Sequence, residues 1–276
     1  MDVQDSVQLS TALTVATQDG VDMRFNSREM ALDLDSFSQL HLEPAMATLI
    51  SNIDSDVLQG CTKLTPNWAT NLPLLSGVST TTMSAVSSLT APGNARTRLN
   101  QSLAPKGDRR IQMDSGMMAS IVTGVAGYFN PSNAISEQYR EGLVARTAMA
   151  DYYENELVYS MPTVSSVLVT SFRITSFVTT LGVNSAGVST TQAMPVGSIF
   201  TLGNAAGFLS DVHPETKTQF SNAKQFTVVS TVHGTTSTIT FAPPIFLSGP
   251  RQNVGGGAAG WTATTLALSS LTMNFA

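Results

Sequence analysis

Beyond Tyr159 the chain is punctuated in a way that leaves few folds open. VSSVLVTSF, RITSFVTTLGV, VGSIFTLG, KQFTVVSTV and STITFAPPIF are short β-branched and aromatic runs separated by Gly, Asn and Pro. Runs of this length and branching suit strands joined by turns, not helices. No helical pattern interrupts them, which predicts an all-β unit, a small barrel or sandwich, starting near Met161 and Pro162.

Upstream the grammar differs. Between Val7 and Met30, Leu13, Val15, Val21, Met23 and Phe25 flank Asp19-Gly20, a dipeptide suited to the positive φ angles of a tight turn, and predict a β-hairpin or strand pair. Ser36 can cap a helix in which Met46, Leu49, Ile50, Ile53 and Val57 recur at helical spacing, with Gly60 as its stop and Pro44 kinking it or opening its main segment. Residues 61–93 read as a connection with one short, weak helix. A helical pattern follows over Asn94 to Leu103, then a turn at Pro105, Gly107 and Asp108, a strand in RRIQMD and a second helix from Ser115 to Val125. The first part is therefore α+β and the second all-β.

Only 12% of the residues are Asp, Glu, Lys or Arg, about half of the roughly 25% usual in soluble domains. Ser and Thr supply much of the polarity. Such a surface loses little on desolvation, so it can be buried against other protein without stranding ions. The formal charge of -5, with 14 basic residues and no basic patch, argues against tight nucleic-acid binding, which needs Lys and Arg on phosphates. The start MDVQDSVQLS lacks the basic and apolar segments of a signal peptide, and no apolar run approaches the roughly 18 residues that would span a bilayer. The one cysteine, Cys61, excludes an internal disulfide, fits a reducing compartment, and is expected to be a buried, inert thiol.

Signs of catalysis are sparse. His41, His213 and His233 do not stand at metal-ligand spacing. GGGAAG at Gly255 to Gly260 lacks the Lys and hydroxyl of a phosphate loop and reads as a flexible loop. Asp33 with Asp35, and Asp54 with Asp56, are two apart and do not face each other, so they read as solvated charges. The stretch EQYREGLVARTAMADYYENE, Glu137 to Glu156, gathers charge and tyrosine. Glu137, Arg140, Glu141 and Arg146 alternate in sign at helical offsets, and Tyr139, Tyr152 and Tyr153 bring the amphipathic area common at interfaces. A nucleophile paired with a base is lacking. No catalytic residue, cofactor or metal site is expected, and the chain does not read as an enzyme.

Several segments together resemble a known family. They are DVQDS followed by QDGVDMRFNSREMALDLDSFSQLHLEPAMATLISNIDSDVL, then ARTRLNQSLAPKGDRRIQMD, SIVTGVAGYFNPSNAISEQYREGLVARTAMADYYENELV, PVGSIFTLGNAAGFLSDVHPETKTQFSNAKQFTVVS and APPIFLSGPRQNV. In this order they resemble the major coat protein of short-tailed double-stranded-DNA phages, the Salmonella-phage type with an insertion domain. The resemblance covers nearly the whole chain, and its motifs are architectural.

What it implies is a Hong Kong 97-type capsid fold, α+β, with an inserted telokin-like β-barrel. Residues 1–35 would supply extended-loop and peripheral-domain strands, 36–60 the spine helix, 61–160 the axial domain, 161–272 the insertion barrel and 273–276 the return to the capsid core. Family members are longer, so an N-terminal arm and a C-terminal segment are expected to be missing here. The implied function is self-assembly into an icosahedral shell around DNA, with pentamers and hexamers of this chain, scaffolding and portal proteins as partners, no sequence-specific DNA contact and no membrane. The implied location is the virion capsid, after synthesis in the host bacterial cytoplasm.

Within the barrel, the loop from Gly203 to Lys224 carries Asp211, His213, Glu215, Lys217 and Lys224, and is expected to be exposed and to reach a neighbouring capsomer. Asp211, Glu215, Lys217 and Lys224, with Arg140 and Glu141, are the candidate inter-subunit contacts. The alternative function is a β-rich tail-associated or receptor- and glycan-binding module. It calls for aromatic platforms, whereas Trp68 and Trp261 are far apart in sequence.

Overall fold

A computed structural model describes residues 15, 17–24, 38–69, 89–125, 150–160, 169–176, 184–190, 195–204, 207–232, 237–256 and 272–275. The fold mixes helices and strands, α+β. Contacts divide the chain into Met1–Asp56 and Val57–Ala276.

In the first unit the expected hairpin is not found among the described residues. Residues 17–24 carry no strand, and Gly20 is not among the residues at positive φ. Alternation stabilises a strand pair only when one face is buried, and Val21 is 45% exposed. The rest of the expected hairpin lies outside the described residues.

A π-helical turn, Ser38–Leu42, leads into helix α1, Glu43–Leu64. Pro44 sits in the first turn, where a missing N–H costs nothing, and Glu43 faces the positive end of the helix dipole. Along the helix the Thr48, Ser51 and Thr62 hydroxyls donate to the carbonyls of Pro44, Ala47 and Leu58 at 2.9, 2.8 and 2.7 Å.

Gly60 does not end the helix, contrary to expectation. Glycine inside a helix costs about 1 kcal/mol against alanine, and tertiary contacts of the following turn outweigh it. The Lys63 carbonyl accepts from Thr227 Oγ1 at 3.1 Å, and the Lys63 ammonium stands 5.1 Å from the Tyr159 ring centroid. Gly197, at φ +92, lies so close that an added Cβ would meet Lys63 Cγ at 3.0 Å and Cα at 3.1 Å.

Helix α2, Thr90–Gln101, begins a few residues ahead of the expected Asn94. It ends in a turn with Leu103 and Asp108 at positive φ. Arg109 ties that turn, donating to Pro105 O at 2.9 Å, Ala104 O at 3.0 Å and Asn100 Oδ1 at 2.9 Å. Strand β1, Arg110–Met113, helix α3, Ser115–Val125, and strand β2, Asp151–Glu154, follow. The two strands pair in parallel, Ile111 beside Tyr152. Met113, Met118, Ile121 and Tyr152 form their core, with Leu89, Ile111 and Val122 against it.

The remaining strands are β3 Val169–Ser176, β4 Asn184–Thr190, β5 Ile199–Asn204, β6 Gly207–Phe208, β7 Ser210–Val212, β8 Gln219–Ala223, β9 Gln225–Val232, β10 Ser237–Ala242, β11 Val254–Gly255 and β12 Thr272–Phe275. The larger sheet runs β12-β5-β9-β10-β4-β3, with β6 on β5. Its end strands β12 and β3 also approach each other, so the sheet curls round toward closure. A small sheet has the order β11-β7-β8.

Phe200, Phe226 and Phe241, from the adjacent strands β5, β9 and β10, are fully buried with ring centroids 5.5 to 5.8 Å apart. Leu202, Leu209, Val228, Ile239 and Val254 complete this core. The first half of β9 is buried on both faces. Alternation puts Phe226 and Val228 on one face and Gln225 and Thr227 on the other. The second face is polar because it serves backbone: Gln225 Oε1 accepts from Trp68 N at 2.8 Å, and Thr227 donates to Lys63 O.

Candidate interaction surface

Helix α1 buries none of its residues. In the first unit Leu40, Leu42, Met46, Ile50 and Ile53 are 59, 40, 54, 60 and 47% exposed. Met46, Ile50 and Ile53 are spaced by four and three residues, so they share one side of the helix. In the part of α1 belonging to the second unit, Val57 and Leu64 are also exposed. Apolar side chains scattered singly need no explanation, but a row at helical spacing is a face that another surface can cover.

The loop from Gly203 to Lys224 is not a uniformly exposed element. It contains β6, β7 and β8, and Asp211 is buried, at 7% exposure. Its carboxylate accepts from Lys224 Nζ at 2.9 Å and Val212 N at 3.1 Å, and lies 3.8 Å from Arg98 Nη1. Arg98, buried on α2, donates to Ala223 O at 3.2 Å. Burial lowers the Arg98 pKa, and the Asp211 charge opposes that shift. The expectation of exposure therefore fails for Asp211, because a buried carboxylate needs partners and the fold supplies two cations.

The exposed part of this loop is the turn after β7. His213 Nδ1 accepts from Glu215 N at 3.3 Å and Thr216 N at 3.2 Å. Lys217, at φ 58, donates to Pro214 O at 2.6 Å and Gln252 O at 3.2 Å. Glu215 is exposed and Lys217 partly so. Arg140 and Glu141 lie outside the described residues, as do Glu137, Tyr139, Arg146, Asp33, Asp35 and His233.

Strand alternation separates the two tyrosines expected at an interface. Tyr152 is in the core and Tyr153 is 47% exposed, with the Arg110 guanidinium 5.9 Å from its ring centroid. Cys61 is exposed, not buried. Gly255, read as part of a flexible loop, pairs with Ser210 as part of β11. Its lack of a side chain leaves room for Gln219, whose Cγ an added Cβ would strike.

Among the described residues no cluster of His, Cys, Asp and Glu is able to hold a metal ion, and no helix is long and apolar enough to cross a membrane. Sequence reasoning missed Arg98, which stands beside Arg96 in a polar helix and carries no local sign of burial. No protein-family model and no curated protein matches the chain.

Proposed function

We propose that this chain is a structural subunit, a phage major coat protein of the insertion-domain type, which assembles with copies of itself into an icosahedral shell around double-stranded DNA. The observation that carries the reading is the unburied apolar face of α1. Leu40 and Leu42 on the turn before it and Met46, Ile50 and Ile53 on α1 are each about half exposed, and burying the remainder yields about 1 kcal/mol apiece, or about 5 kcal/mol in all. That is at the low end of the roughly 4 to 15 kcal/mol lost on associating two bodies. One such contact is weak, whereas a subunit with several neighbours gains cooperatively, and closed symmetry ends growth.

The scarcity of charge and the sequence resemblance support the same reading. Glu215 and Lys217, on the exposed turn, are the candidates for a contact with a neighbouring subunit. Asp211 and Lys224 support that turn from its base. Scaffolding and portal proteins are the further partners of this reading, and the location is the virion.

Electron microscopy and light scattering of the purified chain test the proposal. Particles or curved sheets are expected, and the double variant Ile50→Asp/Ile53→Asp is expected to abolish them with an unchanged circular dichroism spectrum. A wild-type chain that stays monomeric at all concentrations, or a double variant that assembles at full yield, refutes it.

A further inference from the structure

Helix α2 buries three residues, Ala91, Pro92 and Arg98. The first two are small, so the long buried side chain on this helix among the described residues is a cation. Its carboxylate partner is shared. Lys224, between β8 and β9, holds Asp211 Oδ1 at hydrogen-bond distance, 2.9 Å, while Arg98 Nη1 stands 3.8 Å from Oδ2, beyond it. The Arg98 Nε–H is buried and has no hydrogen-bond partner among the described residues.

We propose that Asp211 is a shared carboxylate whose division between Lys224 and Arg98 sets how firmly α2 is held to the β-rich part of the chain. Two cations compete for one anion in a setting where the Arg98, Asp211 and Lys224 side chains are 7, 11 and 17% exposed. Water screens little there, so both the attraction and the repulsion between the cations persist. Neutralising Lys224 acts twice in the same direction. It removes the repulsion, and it frees the carboxylate, held by Lys224 through Oδ1, to turn toward the Arg98 donors. Loss of the Lys224 charge therefore tightens the hold on α2, whereas loss of the Arg98 charge releases it. The inference does not depend on the assembly reading.

Amide hydrogen exchange on the full chain tests it, comparing α2 amides with those of β9 as an internal control. Lys224→Met is expected to slow α2 exchange by roughly three- to tenfold, within the range of coupling between residues in contact. Arg98→Met is expected to speed it by a similar factor, with β9 unchanged. Lys224→Met that leaves α2 exchange unchanged or speeds it overturns the proposal. If Arg98→Met does not fold, the Lys224→Met arm decides by itself.

Discussion

Gly197 and Gly249 share a backbone conformation and differ in surroundings, so one substitution at each separates two energies. Both have positive φ, +92 and +87. Alanine in this region costs about 1 to 2 kcal/mol at either position. At Gly249 nothing lies within 4 Å of the added Cβ, so the conformational cost is the whole effect. At Gly197 the new methyl meets Lys63 Cγ at 3.0 Å, Cα at 3.1 Å and Cβ at 3.2 Å. Lys63 Cγ can swing away, but its Cα belongs to the last turn of α1, which the Thr227 hydrogen bond holds in place. Overpacking of this kind adds about 1 to 3 kcal/mol. Gly197→Ala should therefore destabilise by about 2 to 5 kcal/mol and Gly249→Ala by about 1 to 2 kcal/mol. Equilibrium urea unfolding of both variants, with the m-value compared to check that the transition is unchanged in kind, measures the difference. Equal losses would refute the claim that the close approach of Gly197, in the turn ahead of β5, to Lys63 helps keep this helix running past Gly60.

Phe226→Ala removes the ring that touches both Phe200 and Phe241 and should cost about 3 to 5 kcal/mol, read by urea unfolding. Tyr152 is buried with no hydrogen-bond partner for its hydroxyl among the described residues, and burial raises its pKa. The unfolded chain then gives up this proton at lower pH than the folded one. Stability is thus full below the unfolded tyrosine value of about 10 and falls as pH rises from there toward the folded pKa. Tyr152→Phe should flatten that alkaline fall in thermal unfolding and leave stability at neutral pH equal or higher.

Much of the local structure was legible because its causes are local. The β-branched runs in β5, β9 and β10 are strands, and Ser115–Val125 is a helix with the expected bounds. Turn chemistry at Pro105, Gly107 and Asp108 likewise matched, since positive φ at Asp108 is a property the residue tolerates by itself. Where expectation failed, a distant partner decided. Asp19-Gly20 had the residues of a turn, but Val15 and Val21 on either side of it are exposed. Gly60 had the residue of a stop but a following turn anchored by Thr227 and Gly197. Residue type predicts a buried Cys61, yet the thiol is exposed.

The order of residues by itself determined the α+β class, the strand-rich second half and the apolar row on α1, because periodicity and turn propensity act over a few residues. Tertiary structure alone decided that Asp211 turns inward. Its charge is compensated by Lys224, thirteen residues away, and by Arg98 on a helix from the other part of the chain. A buried carboxylate is tolerated only beside cations, and which cations stand beside it is a property of how the chain packs.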